Sequence, residues 1–508
     1  MRGFDSQRGR KIWRLLGIIL AALVVLSAGL LIGVSRWAFS REKVAKALGQ
    51  ATSSTVEFRT FRHVYFPRPG CVAEGVTFRR PERSGTPLIA ATRLVIVDTF
   101  AGILKSHVSL IEADGVEVTA SDGWPSSSAS AIEVERLVAK NAVLLVPRKS
   151  SPPLRFEVHD FSIEDLGGKD AMRFHVALTN PIPRGEVVAN GRLGPWNTND
   201  RAETPISGSY SFRDADLATI SGIGGLLSSD GEFRGSIRQL EVHGSTDTPE
   251  FEIVRTGHRF PLSTQFAAVV NATNGEVVLN HVDAHVMRTN LEVQGSIKRE
   301  PPDHRRTAML DIFSRDGRIQ DVLFPFVHEA RSPLNGVTNF HARVVLPSGK
   351  EPFLHKVVLQ AEFGIDAARF TSAHTQAKVN KMSESARGNP DEENPEDVVS
   401  DLRGRVLLKN GVATFSNLTF RVPGASAAMH GTFNVISQHV DLHGTVQLQA
   451  KVSDTTTGFK SFLIKALSPF IKKDKPREPL PVAITGTYSH PQYSVSLTSK
   501  KKQARGGE

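Results

Sequence analysis

Residues 274–297, "NGEVVLNHVDAHVMRTNLEVQGSI", and residues 410–433, "NGVATFSNLTFRVPGASAAMHGTF", follow one pattern without a gap. Each copy opens with Asn-Gly, and Gly295 in the first copy occupies the same place as Gly431 in the second. Between these landmarks apolar and polar residues alternate, which is typical of β-strands because successive side chains of a strand point to opposite faces. The repeat therefore predicts an antiparallel meander with one apolar and one wet face.

The polar breaks at Asn280-His281 and at Arg288–Asn290 predict two tight turns in the first copy. What the copies share is the side on which apolar residues stand. Those positions, which we expect to line a lipid groove, are Val277, Leu279, Val282, Ala284, Val286, Leu291, Val293, Phe415, Leu418, Phe420, Val422 and Met429.

Beyond the opening asparagine almost no polar residue is shared between the copies, since Arg421 stands where the first copy has His285 and Ala428 where it has Glu292. Catalysis needs particular polar atoms in fixed places, whereas an apolar surface needs only the pattern. The glycine-rich stretch at 222–225 lacks the Lys-Ser/Thr of a phosphate loop, and His281 with His285 lacks a third metal ligand. We therefore expect no enzyme activity, catalytic residue, metal site or cofactor.

The chain has 508 residues, enough for more than one core, and a net charge of +10 with pI near 9.6. A basic surface is the simplest interpretation, and attraction to anionic lipid is the alternative. Basic residues are not interleaved with aromatic ones in a stripe, so nucleic acid is not an expected partner. Cys71 is the single cysteine, which excludes a disulfide framework.

Residues Leu15–Val34 contain no charge and no proline. About 20 helical residues span the roughly 30 Å hydrocarbon core of a bilayer, so this run predicts an uncleaved membrane anchor. Trp13 and Trp37 stand at its two edges, where indole rings favour the headgroup region. A cleaved signal peptide is the alternative, but its apolar region is usually shorter. A slight excess of basic residues before the span predicts a cytoplasmic N-terminus.

The remaining chain contains few helical patterns. Residues 316–327 and 364–386 are two of them. The third, residues 458–473, places apolar side chains at helical spacing among lysines, so it can lie on an anionic membrane or cap the open end of a sheet. Its expected membrane-contacting residues are Phe459, Phe462, Leu463, Leu467 and Phe470.

Composition divides the chain into consecutive segments. We expect a cytoplasmic basic tail at 1–14, the anchor at 15–34, a β region at 35–300, a β/helical segment at 301–386, an acidic linker at 387–397 and a C-terminal β region with a basic tail at 398–508.

Residues 65–81, 208–245, 402–434 and 480–495, together with the single N-terminal span, resemble the AsmA-like family of membrane-anchored bacterial envelope proteins. The resemblance implies a periplasmic body on a bacterial inner membrane, an association with outer-membrane assembly and phospholipid homeostasis, and similarity to β-groove proteins that carry lipids. The family supplies no catalytic residues.

Together these observations predict a mainly β protein in which an N-terminal transmembrane helix precedes an elongated, curved antiparallel β-groove of repeated meanders with a few short helices. Its expected partners are phospholipids, the inner membrane and outer-membrane or envelope assembly proteins. Lipid transport is the expected function, and an assembly factor for outer-membrane proteins without lipid cargo is the alternative. Two apolar faces can also close on each other as a sandwich, and the sequence leaves that choice open.

Overall fold

The computed structural model describes residues 33, 35, 36, 38–79, 87–103, 107–120, 133–148, 152–167, 170–197, 199–300, 305–327, 329–349, 351–373, 375–377, 379–380, 383, 398–448, 479–488 and 490–495. The anchor Leu15–Val34 lies outside these residues except for Gly33, and so do Trp13, Trp37, the segments 387–397 and 458–473, and the five apolar residues named in the latter. In the part of the chain that is described, no helix has the length and apolarity needed to cross a membrane.

The fold is mainly β, as the alternation predicts. The strands are β1 (Thr55–Glu57), β2 (Thr60–Val64), β3 (Gly70–Arg79), β4 (Ile89–Val97), β5 (His107–Thr119), β6 (Glu133–Val146), β7 (Leu154–Leu166), β8 (Met172–Pro181), β9 (Arg184–Leu193), β10 (Pro205–Asp216), β11 (Ile223–Gly224), β12 (Leu226–Ser236), β13 (Leu240–Ile253), β14 (Arg259–Asn271), β15 (Glu276–Val286), β16 (Thr289–Glu300), β17 (Arg305–Arg318), β18 (Leu334–Pro347), β19 (Val358–Phe370), β20 (Ser400–Lys409), β21 (Val412–Val422), β22 (Ala425–Asn434), β23 (His439–Leu448), β24 (Leu480–Thr487) and β25 (His490–Val495).

The helices are short. They are α1 (Arg41–Thr52), α2 (Phe100–Ile103), α3 (Ile319–Leu323) and α4 (Phe353–Lys356), with 3-10 turns at Arg201–Glu203, Leu217–Thr219 and Phe324–Phe326. Further helical residues occur between 373 and 383. The helix expected over 364–386 is wrong at its start, because residues up to Phe370 belong to β19 and pair with β18.

The described chain forms two compact units. Unit 1 comprises the residues up to Arg213 and Glu232–Leu240, and unit 2 comprises Asp214–Gly231 and the residues from Glu241 onward. In unit 1, β3 to β9 pair in sequence order, antiparallel except for the parallel pair β5–β6. In unit 2, β14 to β25 pair in sequence order and every pair is antiparallel.

Unit 1 has its core beneath α1. Phe39 and Val44 pack there against buried residues of β3 and β4, among them Cys71, Val76 and Leu94. Burial of these side chains stabilises the packing of the helix on the sheet by roughly 25 cal/mol for each Å² of apolar surface removed from water.

The repeat is a repeat of structure as well as of pattern. A β-bulge lies between Leu279 and Val282 of β15, and another lies between Phe415 and Leu418 of β21, at the equivalent place. The turn expected at Asn280-His281 is therefore wrong, because β15 runs through this point as one strand. A bulge adds one unpaired residue, so the apolar side chains before and after it stay on one face.

Candidate functional site: an apolar sheet face

Strand register places the predicted groove residues of the first copy on one face of unit 2. Residues directly opposite each other in an antiparallel ladder share a face. Leu279 lies opposite Gly295, Val282 opposite Val293, and Ala284 opposite Leu291. The second copy behaves likewise, with Phe415 opposite Gly431, Leu418 opposite Met429, Phe420 opposite Ala427 and Val422 opposite Ala425.

The strands between the two copies continue the same face. One line of opposed residues, which we call the central row, crosses from β14 to β24. Its members are Phe266, Val282, Val293, Ile312, Ala342, Ala361, Val406, Phe415, Gly431, Leu442 and Ile484. Ten of the eleven carry an apolar side chain and the eleventh is glycine, so the row contains no fixed polar side chain.

The groove residues predicted from the sequence lie only in the two copies of the repeat and include none from β17 to β20, the strands between the copies. The sequence "FHARVVLP" (340–347) shows the alternation that marks it as a strand. The sequence does not show that Ala342 stands on the same face as Val293, because this depends on how β17 pairs with its two neighbouring strands.

Exposure varies along the central row, and Val282 is buried, with 9% of its surface exposed. The small Ala342 and Ala361 are buried, with 3% and 8% of their surface exposed. The larger Phe266, Ile312 and Val406 are only half-buried. In the interior of a two-sheet sandwich large side chains interdigitate and are buried. The central row therefore retains apolar surface in contact with solvent.

One margin of the apolar face is covered by an end cap, the residues Ile319–Phe326 that form α3 and the following 3-10 turn. Ile319, Val322 and Leu323 pack against Ile365 and Ala368 of β19. These contacts bury the strand ends without reaching the central row.

Hydrogen bonds fix the end cap to the sheet. The buried Asp321 carboxylate accepts from the Arg288 backbone N–H at 3.2 Å and from the Thr289 hydroxyl at 3.0 Å. The same hydroxyl accepts from the Arg318 N–H at 3.0 Å. Thr256 donates to the Pro325 carbonyl at 2.8 Å. The cap thus joins two turns and two strands of unit 2.

A second cover lies beside the first. Gln376 is buried, accepts from the Phe370 N–H at 2.8 Å and donates to the Val398 carbonyl at 2.9 Å. Val379 and Val398 pack against Val422 and Ala425, next to Phe420. Two predicted groove positions, Phe420 and Val422, therefore lie at this covered margin.

The opposite face of unit 2 is polar and carries exposed ion pairs. Arg343 lies 3.2 Å from Asp311, and His281 lies 3.0 Å from Asp283. Exposed pairs of this kind contribute at most about 1 kcal/mol each. His281 and His285 are both on this face, as solvated sheet histidines, and among the described residues no group of His, Cys, Asp and Glu is arranged to hold a metal.

Two other features of unit 1, a cleft and Cys71, give little support for a catalytic site. A shallow cleft of about 550 Å³ in unit 1 is lined by Arg173, Phe174, Asn190, Gly191, Arg192, Gly208, Ser209 and Glu232, a set without histidine or cysteine. Cys71 is 1% exposed, and burial raises the pKa of its thiol to about 12, so the nucleophilic thiolate is disfavoured.

The chain matches no family model, no curated protein and no solved structure. The apolar face is therefore interpreted from its own geometry.

Proposed function

We propose that this protein binds phospholipid acyl chains along the apolar face of unit 2, as a membrane-anchored component of a bacterial cell envelope. The observation that carries the proposal is the central row, an apolar line across eleven strands in which Phe266, Ile312 and Val406 are only half-buried. A contiguous apolar surface that is exposed to solvent commonly marks a binding site.

The dimensions of the row suit an acyl chain. Neighbouring strands lie about 4.8 Å apart, so the row follows a path of roughly 48 Å along the sheet through its eleven strands. One leaflet of a bilayer contributes about 15 Å of the roughly 30 Å hydrocarbon core. The face is long enough for several acyl chains placed end to end, and each buried methylene contributes about 0.8 kcal/mol.

Selectivity follows from the composition of the row. Its side chains offer no hydrogen-bond donor or acceptor, so the face recognises the tail of a lipid and leaves the headgroup in water. We expect binding of phospholipids that differ in headgroup but share acyl chains of ordinary length.

The resemblance to the AsmA-like family supports the wider setting. We propose an inner-membrane anchor at Leu15–Val34, a periplasmic body, and a sheet that curves into a groove contributing to lipid transport and outer-membrane homeostasis. Glycines with φ values above zero inside strands, such as Gly431 at 143°, favour local bending of this kind.

The test is copurification of lipid with the full chain. After purification in a detergent that is then exchanged for amphipol, bound phospholipid is quantified by mass spectrometry. The double variant Leu279→Asp/Val293→Asp should lose most of the bound lipid. The control is Val278→Asp, because Val278 neighbours Leu279 but stands on the polar face and is 38% exposed.

Equal lipid content in the two folded variants would refute the proposal. Absence of lipid from the wild-type chain, together with a defined protein crosslinked to it, would favour the assembly-factor alternative instead.

A further inference from the structure

The tip between β2 and β3 in unit 1 exposes an aromatic ring to water. This tip, residues 65–69 with the sequence "YFPRP", carries Phe66 with 88% of its surface exposed. No other large apolar residue described as exposed reaches 60%. Phenylalanine is usually among the most buried residue types, so this position is unusual for a protein surrounded by water.

The base of the tip is firmly held, so the exposure of Phe66 is a property of a fixed turn. The Asp98 N–H donates to the Pro69 carbonyl at 2.9 Å, and Pro69 is fully buried. The Asp98 carboxylate is buried and accepts from the Ser109 hydroxyl at 2.8 Å. Tyr65, the neighbour of Phe66, turns its ring back to stack on His63 with a centroid distance of 6.1 Å.

The charge of the tip has one sign. Arg68 is exposed and is the sole charged residue in the sequence of the tip. The next acidic residue along the chain, Glu74, is held by Arg62 at 3.1 Å and by the Thr60 hydroxyl at 2.9 Å. An aromatic ring beside a basic group is the combination that inserts at an anionic lipid surface.

The first residue of α1 lies on the same side of unit 1 as the tip. Residues 15–34 precede Phe39, which packs in the core of unit 1 with Cys71. At the start of α1, Arg41 donates to the Phe58 carbonyl at 2.8 Å, whereas the end of α1 contacts Ser54. Because Phe58 lies nearer to Val64 along the strand than Ser54 does, α1 runs away from the tip, and its first residue is on the tip's side.

We infer that the β2–β3 tip contacts the surface of the membrane, with Phe66 inserted at the boundary of headgroups and acyl chains and Arg68 beside lipid phosphates. This inference rests on the anchorage that the proposed function includes. The contact fixes which end of the strands of unit 1 faces the bilayer.

The single native cysteine makes a site-specific test possible. Since Cys71 is buried and its thiol pKa is raised to about 12, a maleimide at neutral pH labels an introduced cysteine in its place. Phe66→Cys carries an environment-sensitive fluorophore at the tip. Ile182→Cys is the matched control, because Ile182 is an apolar residue, 49% exposed, in the turn between β8 and β9.

The control lies at the opposite end of the strands. From the tip, the pairs run Gly70–Val97, Val97–Leu110, His107–Glu133, Val134–Leu166 and Glu164–Arg173. The start of β8 is therefore at the tip's end of the strands, and Ile182, after the end of β8, is at the far end. Each labelled full-length chain is reconstituted in vesicles of phosphatidylethanolamine and phosphatidylglycerol, with or without a spin-labelled phosphatidylcholine that quenches the fluorophore in lipid.

The label at position 66 should be quenched by the spin-labelled lipid and shifted to the blue, while the label at position 182 stays accessible to aqueous iodide. Arg68→Glu should reduce the quenching at position 66. Equal exposure of both labels to iodide, in chains that float with the vesicles, would overturn the tip assignment alone. Chains that fail to float would instead contradict the anchor and with it the proposed function.

Discussion

Replacing Asp321 by alanine should release the end cap from the sheet while the rest of unit 2 stays folded. The substitution removes the acceptor for the Arg288 N–H and the Thr289 hydroxyl, both of which are held at the buried carboxylate. Thr289 is 1% exposed, so without local opening its hydroxyl keeps only a long contact of 3.5 Å to the Arg318 carbonyl.

The expected cost follows from these two bonds. A hydrogen bond to a charged group contributes about 1.5–3 kcal/mol, and a buried donor left without a partner costs about as much as the bond that it loses. At the lower end of this range, two such bonds give roughly 3 kcal/mol for opening of the cap, which corresponds to at least about a 100-fold loss of amide protection at about 1.4 kcal/mol per tenfold.

Hydrogen exchange followed by mass spectrometry measures this loss directly. Protection should fall in Arg288–Thr289 and Ile319–Phe326 and persist in β20 and β21. Asp321→Asn keeps an acceptor oxygen and should retain most of the protection. Asp311→Ala removes an exposed carboxylate from the polar face and should cost less than about 1 kcal/mol. Unchanged protection in Asp321→Ala would refute the role given to this carboxylate.

Three further predictions concern the core, a glycine in a strand and the apolar face. Burial raises the pKa of the Cys71 thiol from 9.0 to about 12, so the unfolded chain loses its thiol proton first and the free energy of unfolding should fall as pH rises from 9 toward 12. In denaturant titrations, a Cys71→Ala variant should lack this pH-dependent loss. An equal dependence of the free energy of unfolding on pH in the two proteins would contradict the prediction. Gly431→Ala should cost about 2–3 kcal/mol because its Cβ would collide with the Asp441 carbonyl oxygen, whereas Gly257→Ala meets no neighbouring atom and should cost about 1 kcal/mol, as thermal unfolding would show. Val406→Asp should weaken binding of a fluorescent phospholipid by roughly 30-fold, about 2 kcal/mol, because it places a charge on the apolar face. Leu407→Asp, on the polar face, should leave the affinity unchanged. An equal loss of affinity in the two variants would count against the assigned face.

The β class and the shared face of the repeat could be predicted from the sequence because alternation with a period of two records directly which residues stand together. The sequence predicts a turn at Asn280-His281 where the structure has a bulge, because a tight turn and a bulge both shift the period by one residue. Only the partner strands distinguish them, since β14 and β16 both extend past this point.

Two other features depend on contacts between residues far apart in sequence, so local sequence patterns do not predict them. Residues 364–370 contain good helix formers such as Ala367 and Ala368, yet pairing with β18 and β20 places them in a strand. The end cap depends on Asp321 meeting Thr289 across 32 positions of sequence. Neither residue carries a local signal of that contact.

Photocrosslinking with a phospholipid that bears a diazirine near the end of its acyl chain tests the central claim most directly. Crosslinks mapped by mass spectrometry should fall on central-row residues and their neighbours on the same face, such as Val293, Val406 and Leu408. They should spare Val278 and Leu407, which stand on the polar face of β15 and β20. Crosslinks distributed equally over both faces, or concentrated on the polar one, would contradict the account.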